Sequence, residues 1–232
     1  MNSMIDYQTE TLVDIAYKEI KKDIALQVLK PGQKMIIREL QERYSLSPTP
    51  IKQALNRMVA EGLVTCTPRR GMSVRAIEWK EVADLMEIRT GIESFYVPQM
   101  MEYVKENPEF IGKLQANIQE HKKAVGSSDV QSHLQDYRLD EKFHLLLMQC
   151  SGNQRVMQLF QSMGTHGYSS HIYGKQSNEK RLCGVLEHEA ICQSLETADE
   201  EGLRYAIVSH LDNAKGRIFE MLVQNEQGQP KE

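Results

Sequence analysis

The 232-residue sequence is poor in aromatic side chains, which make up 6% of it, and it holds only four cysteines. The cysteines are scattered along the chain without a CxxC pair, so the spacing predicts neither a zinc knuckle nor a disulfide framework. We expect reduced thiols, mostly buried as small apolar groups, in a cytoplasmic protein. These cysteines are Cys66, Cys150, Cys183 and Cys192.

Long apolar runs are also missing from the sequence. No stretch approaches the roughly 20 residues that a membrane-spanning helix needs. The N-terminus, MNSMIDYQTE, has neither the basic start nor the apolar segment of a signal peptide. We therefore expect no membrane association. Hydrophobic residues still make up 41% of the chain, which is enough for a packed core of aliphatic side chains and methionine.

Charge is distributed unevenly along the chain. Residues 1–77 hold 12 Lys and Arg against 8 Asp and Glu, whereas the remainder holds 16 against 24. A basic first third on an acidic body is typical of a chain that meets a polyanion at one end only. The sequence pattern changes at the same point, so we predict two domains, residues 1–77 and residues 78–232.

The N-terminal part begins with the pattern of two helices. Apolar residues at spacings of one to four indicate a first helix from about Thr9 to Leu29. Pro31 and Gly32 end it, because proline cannot continue a helix and glycine supplies a turn. A short second helix follows at about Ile37 to Tyr44.

A third helix and a hairpin complete this part of the chain. Ser47 is a typical N-cap, Pro48 is tolerated in the first helical turn, and Gly62 ends the helix. Segments 63–67 and 72–75 then predict two short strands joined by a basic turn. Helix, tight turn, helix and basic hairpin is the order of a winged helix-turn-helix.

Such a domain predicts particular DNA contacts. The major groove admits one helix, whose leading residues reach base edges and phosphates, while the wing reaches an adjacent groove or the backbone. A capping or solvated-surface role is the alternative for each residue alone, and their joint placement favours DNA contact. The candidate DNA-binding residues are Arg38, Ser47, Thr49, Lys52, Arg57, Arg69, Arg70 and Gly71.

Residues 46–74, LSPTPIKQALNRMVAEGLVTCTPRRGMSV, resemble the GntR family of bacterial regulators. The resemblance rests on the proline-containing opening, the Ala54-Leu55 pair, the Glu-Gly-Leu-Val step and the wing glycine with its following valine. It implies a homodimeric repressor or activator whose affinity for double-stranded DNA changes with a small ligand. A two-fold dimer would match a palindromic operator.

Two positions depart from the family pattern. Pro48 and Lys52 stand where the family often has arginine. Lysine cannot make the bidentate guanine contact that arginine makes. We therefore expect an unusual base readout and infer no operator sequence.

From Trp79 onward the pattern is helical throughout. Breaks near residues 107–108, 126–128, 151–153 and 174–178 predict six or seven helices. The expected fold is mainly α, with the winged helix-turn-helix followed by an all-α helical-bundle domain that binds ligand and dimerises.

All seven histidines lie after residue 120. Asp140 and His144 are four residues apart, so they share one face of a helix. His188 and His210 also lie in helical patterns. One carboxylate and three imidazoles on facing helices could bind a divalent metal inside a bundle. From these residues alone, ordinary core or surface histidines remain the alternative.

Residues from about 80 to 225 resemble the helical ligand-binding (FCD) domain of the FadR-like GntR subgroup. The Asp-x-x-Phe-His pattern from Asp140, the following Asn153, the His-x-x-Ile segment from His188 and the later His210 are similar to that domain. The resemblance implies that Asp140, His144, His188 and His210 ligate a divalent ion. Zinc is the favoured cofactor, with Ni²⁺ and Mn²⁺ as alternatives, because imidazole suits several ions.

The same resemblance implies an effector beside the metal, with a small carboxylate as the expected class. Arg89 is similar to a basic residue of the family and could pair with such a ligand, although an interhelix salt bridge is the alternative. His166, Tyr168 and His171 are further candidates for the cavity.

Three functions are compatible with these patterns. The leading one is a ligand-responsive regulator, most simply a repressor. A second is a metal sensor without an organic effector. The third, a metal-dependent hydrolase with an appended DNA-binding domain, lacks an HExxH motif and a candidate nucleophile, so we expect no enzyme.

Overall fold

The computed structural model describes residues 10–76, 78–127, 130–163 and 176–227. The chain divides into two compact units, residues 1–76 and residues 77–232. The first unit has three helices and a two-stranded antiparallel hairpin, and the described part of the second is helical. The predicted fold class, a winged helix-turn-helix followed by an all-helical domain, is confirmed.

The first unit contains five elements. They are α1 (Leu12–Ala25), α2 (Ile37–Tyr44), α3 (Pro48–Ala60), β1 (Val64–Thr67) and β2 (Gly71–Val74). The apolar side of α3 faces the core, where Ile51, Leu55 and Met58 are fully buried against Ile20 and Ile24 of α1. The buried residues of α3 thus recur at helical spacing along one face.

The hairpin is a narrow antiparallel ladder with a tight, left-handed tip. Its register runs from Val64 opposite Val74 to Thr67 opposite Gly71. Arg69 has φ 64° and Gly71 has φ 89°, a backbone region that glycine adopts without a steric penalty. Residues 32–35 pair along the free edge of β2, which ties the wing to the loop after α1.

The second unit contains seven helices within its described ranges, in agreement with the predicted six or seven. They are α4 (Trp79–Phe95), α5 (Val97–Glu106), α6 (Phe110–Val125), α7 (Val130–Gln149), α8 (Gln154–Ser162), α9 (Asn178–Glu196) and α10 (Glu200–Gln227). Helix α7 packs on α6 and α8, α9 packs on α6, and α10 packs on α4 and α9.

This bundle has an apolar core of large side chains, among them Phe110, Leu114, Phe143 and Leu147, all fully buried. Buried polar residues interrupt the core where α4, α7, α9 and α10 meet. All four cysteines are free thiols, as expected. Cys150 and Cys192 are buried and Cys66 and Cys183 are exposed, so the expected burial holds for two of the four. Within the described ranges, no helix combines the length and apolarity needed to cross a membrane.

Candidate functional site

The exposed side of α3 carries the predicted DNA contacts. Ser47 is the N-cap, as the sequence predicted, although its side chain makes no capping hydrogen bond within the described residues. Ser47, Thr49 and Lys52 are all exposed on the side opposite the buried face. This surface is the part of a helix-turn-helix that can enter a major groove.

Two further polar side chains on α3 were missed by the sequence reasoning. Gln53 and Asn56 lie four and seven residues after Thr49, so they share its face, and both are exposed. Carboxamides can make bidentate contacts with adenine. The signal that could have revealed them was the row of polar residues on the side of α3 opposite its apolar residues.

The predicted arginines occupy two kinds of environment. Arg69 and Arg70 are exposed at the wing tip beside Gly71, and Arg38 is exposed on α2, where its Nε lies 3.2 Å from Glu42 Oε1.

Arg57 differs from these residues because its guanidinium contacts another helix, although half of its side chain is exposed. It lies 4.0 Å from the centroid of the Tyr17 ring, and its Nε donates to Glu61 Oε1 at 3.0 Å. Its Nη1 lies 3.4 Å from Asp14 Oδ1. The structure thus places Arg57 between α3 and α1, away from Ser47 at the leading end.

The second unit brings the four predicted metal ligands together. Asp140 and His144 come from α7, His188 from α9 and His210 from α10. Each offers one ligand atom, and these atoms all lie within 4.8 Å of one another. The three histidines are buried, and the Asp140 side chain retains 19% exposure.

His144 and His210 are oriented as a matched pair. His144 Nδ1 donates to Glu93 Oε2 at 2.7 Å, and His210 Nδ1 donates to Glu187 Oε2 at 2.8 Å. Each Nδ1 therefore carries a proton, and the two Nε2 atoms face each other at 3.1 Å. Two nitrogens about 2.0–2.1 Å from one ion stand about 2.9–3.4 Å apart in octahedral or tetrahedral geometry.

His188 completes the set from an apolar position. Its ring stacks on Phe143 with centroids 3.9 Å apart, and neither ring nitrogen has a hydrogen-bond partner among the described residues. Burial, reinforced by the neighbouring His210 and His144, lowers the pKa of His188 well below its ordinary value. The ring is therefore neutral at pH 7 and offers a lone pair, as a metal ligand must.

Asp140 supplies the negative charge of this set. Burial would raise the pKa of Asp140, but the adjoining His144 and His210 lower it. Its Oδ1 lies 3.5 Å from His188 Nε2. One ionised carboxylate and three imidazoles form a donor set that fits a divalent first-row ion.

Two carboxylates behind the ligands, the buried Glu93 and the partly buried Glu187, were missed by the sequence reasoning. Glu93 also accepts from Arg89 Nε at 2.9 Å. Burial would raise the pKa of Glu93, but His144 and Arg89 lower it to about 2. The available signal was its place one turn after Arg89 on α4.

Glu187 has the corresponding role on α9. It accepts from Arg217 Nη1 and Nη2 at 2.8 Å each. Burial would raise the pKa of Glu187, but the hydrogen bonds from Arg217 and His210 lower it to about 2. Carboxylates that accept from metal-ligating histidines fix the tautomer and orientation of the rings.

A third buried group of the same kind adjoins His188. His121 Nε2 donates to Asp136 Oδ1 at 2.6 Å, and Arg181 Nε donates to Asp136 Oδ2 at 2.8 Å. The His121 ring centroid is 5.7 Å from that of His188. Three arginine–carboxylate–histidine chains therefore surround the ligand cluster.

These three arginine–carboxylate–histidine groups border a cavity of about 60 Å³. The cavity has room for a few water molecules or for a ligand of a handful of heavy atoms. Arg89, Arg181 and Arg217 line it together with Asp140, His144 and His210. Arg89 therefore reaches the predicted cavity, although it is buried and bonded to Glu93. His166, Tyr168 and His171 lie outside the described residues.

Comparison with known proteins agrees with both units. The family model for bacterial regulatory proteins of the gntR family matches residues 12–74, and the FCD domain model matches residues 84–213. The HTH-type transcriptional regulator YdhC of Bacillus subtilis (strain 168) is 23% identical over 197 residues, covering 85% of this chain and 86% of that protein. The HTH-type transcriptional regulator McbR of Escherichia coli (strain K12) is 22% identical over 191 residues, covering 82% and 84%.

Solved structures show the same fold. The structure of McbR/YncC from Escherichia coli matches with a TM-score of 0.67 at 18% identity, covering 91% of this chain and 99% of that one. A winged helix-turn-helix joined to a helical domain with a buried ligand cluster defines the class of DNA-binding transcriptional regulators. The chain belongs to the GntR family of bacterial regulators and carries an FCD domain.

Proposed function

We propose that this chain is a homodimeric repressor that binds a palindromic operator and responds to a small organic acid held beside a divalent metal ion in the FCD domain. The proposal assigns residues 1–77 to DNA binding and residues 78–232 to effector binding and dimerisation. Zn²⁺ is the proposed ion, with Ni²⁺ and Mn²⁺ as alternatives.

The observation that carries the metal assignment is the separation of 3.1 Å between His144 Nε2 and His210 Nε2. Two lone pairs repel at this distance unless a cation or a proton lies between them. The carboxylates of Glu93 and Glu187 hold a proton on each Nδ1, so the two Nε2 atoms are left to share either a metal ion or a proton. The buried nitrogens of His188, which make no hydrogen bond among the described residues, favour the metal ion.

The proposed roles follow from where each side chain lies. Asp140, His144, His188 and His210 would hold the ion, which supplies a Lewis-acid position for a carboxylate. Arg89 would supply charge to an anionic ligand in the cavity. Effector binding must favour one dimer geometry over another if it is to change operator affinity.

The DNA-binding role is assigned to exposed residues of the first unit. Base and phosphate contacts would come from the leading end of α3, with the wing on the adjacent backbone. The proposed contact residues are Arg38, Ser47, Thr49, Lys52, Arg69, Arg70 and Gly71, joined by Gln53 and Asn56. Arg57 was also predicted as a contact, and its engagement with Tyr17 and Glu61 gives it a structural role in this proposal.

The test is the metal content of the untagged protein, measured beside the His144→Ala and His188→Ala variants. We expect about one divalent ion per chain in the parent and its loss in both variants. His121→Ala is the matched control, because His121 is equally buried but stands outside the ligand set. A parent protein without metal, or variants that keep it, would refute the assignment.

A metal sensor without an organic effector is the second candidate, supported by the same ligand cluster. The two candidates differ in one measurement. A sensor binds DNA differently with and without the ion when no organic ligand is present, whereas an effector-controlled regulator requires the organic acid.

A further inference from the structure

The three arginine–carboxylate pairs around the ligand cluster differ in exposure. The side chains of Arg181 and Asp136 are 0% and 1% exposed, and those of Arg89 and Glu93 are 7% and 0% exposed. Arg217 and Glu187 retain 15% and 19%. All three arginines line the cavity, and Arg217 is the most exposed of them.

Glu187 connects this arginine directly to a proposed metal ligand. Its Oε1 accepts from Arg217 Nη1 at 2.8 Å and from Asn213 Nδ2 at 3.0 Å. Its Oε2 accepts from Arg217 Nη2 at 2.8 Å and from His210 Nδ1 at 2.8 Å. One carboxylate on α9 therefore holds a guanidinium and an imidazole that both come from α10.

We propose that Arg217 anchors the carboxylate of the effector and that Glu187 transmits its binding to the metal through His210. This inference rests on the metal site of the proposed function. A planar guanidinium binds a carboxylate bidentately, and the effector carboxylate would replace Glu187 in that contact. Asn213 and His210 keep Glu187 in place during the exchange.

This exchange of partners alters the hydrogen bond between His210 and Glu187. With Arg217 turned to the effector, less positive charge remains on Glu187, so the hydrogen bond from His210 Nδ1–H becomes stronger. A stronger acceptor behind a ligating imidazole makes its other nitrogen a better donor to the ion. The anion and the ion therefore bind with positive coupling, and by linkage each raises the affinity of the other equally.

The experiment measures zinc affinity by competition with a chromogenic chelator, in acetate and in chloride at equal ionic strength. For the wild-type chain we expect acetate to raise zinc affinity about 5- to 150-fold, the usual range for coupled sites. In Arg217→Gln zinc should still bind, but acetate should no longer change its affinity. Arg217→Lys keeps the charge without the bidentate fork and should show reduced coupling.

Two further variants separate this mechanism from general damage to the bundle. Glu187→Gln should weaken zinc binding about 10- to 100-fold and remove the acetate effect. Glu189→Gln is the matched control, since Glu189 lies on α9 like Glu187 but pairs with Lys122 of α6 at 2.6 Å, outside the cavity. It should keep the wild-type coupling.

The possible failures are distinguishable. Zinc binding that acetate leaves unchanged in the wild-type chain, or coupling that persists in Arg217→Gln, overturns the inference and leaves the metal site intact. A wild-type chain that takes up no zinc in either salt overturns the proposed metal site itself.

Discussion

The imidazole of His144 is constrained through both of its nitrogens. Glu93 accepts its Nδ1 proton, and its Nε2 points at His210. Glu93 is in turn held by Arg89 from the preceding turn of α4. The orientation of this ring is therefore set by residues that do not themselves belong to the ligand cluster.

Replacing Glu93 by glutamine tests this constraint at the scale of one residue. The amide keeps the shape but loses the charge that holds the Nδ1 proton, so we expect zinc affinity to fall about 10- to 100-fold. Chelator competition provides the measurement. Asp84→Asn is the control, because Asp84 lies on the same helix and pairs with Lys80 at the surface. Equal losses in the two variants would contradict the assignment.

The ligand cluster and its supporting carboxylates were not equally predictable. Asp140 and His144 are separated by one helical turn, so their shared face follows from the sequence. His188 and His210 were candidates from their helical patterns, and a family resemblance assigned all four as ligands. Glu93 is 51 residues from His144, and Glu187 is 23 from His210. Contacts over such distances depend on how helices pack, which a single sequence does not encode in its local pattern.

At the scale of elements, a helix boundary could be predicted where local residues mark the end of the helix. Helix α2 begins and ends at the predicted residues. Helix α1 was expected to reach Leu29 but ends at Ala25, because Gln27 turns to φ 56°. Leu29 remains buried after this turn, so the apolar pattern continues where the helix does not.

The wing tip is the element whose charge should act on DNA without regard to sequence. Arg69 and Arg70 are exposed there, and each phosphate contact releases counterions. For Arg69→Ala combined with Arg70→Ala we expect weaker binding to a random duplex. The slope of log affinity against log salt should also become shallower by up to about two units.

The matched control for the wing removes two exposed lysines from the second unit, by Lys105→Ala combined with Lys123→Ala. It changes the net charge of the chain equally. An unchanged slope in the wing variant, or an equal change in the control, would show that the wing does not contact phosphate.

At the scale of the whole molecule, the proposed ion would join α7 to the consecutive helices α9 and α10, which come later in the sequence. An ion that binds only the folded state stabilises it by mass action. With zinc at a hundred times its dissociation constant, we expect the melting temperature of the second unit to rise by about 5–10 °C. Differential scanning calorimetry measures this rise, and a chelator should abolish it. An equal rise in His188→Ala would locate the ion elsewhere.

Without a bound ion, we expect His188 to destabilise the fold. Its two buried nitrogens make no hydrogen bond among the described residues, although Nε2 lies 3.5 Å from Asp140 Oδ1. A buried polar atom without a hydrogen bond costs about 1–3 kcal/mol. Leucine is apolar and of similar size, so with chelator present we expect His188→Leu to be about 1–3 kcal/mol more stable in urea unfolding. His210→Leu should be less stable than the parent, because it strips a partner from Glu187. A destabilised His188→Leu would contradict this expectation.

At position 188, the residue type that can bind a metal ion is therefore not the one that packs best. An apolar residue would suit the stacked, buried site beside Phe143 better than an imidazole does. Selection for folding alone would remove this histidine, and only a function that needs its lone pair would retain it. In evolved sequences that no longer respond to the ion, we expect apolar substitutions to appear at position 188 first. These substitutions should raise the thermal stability of the fold.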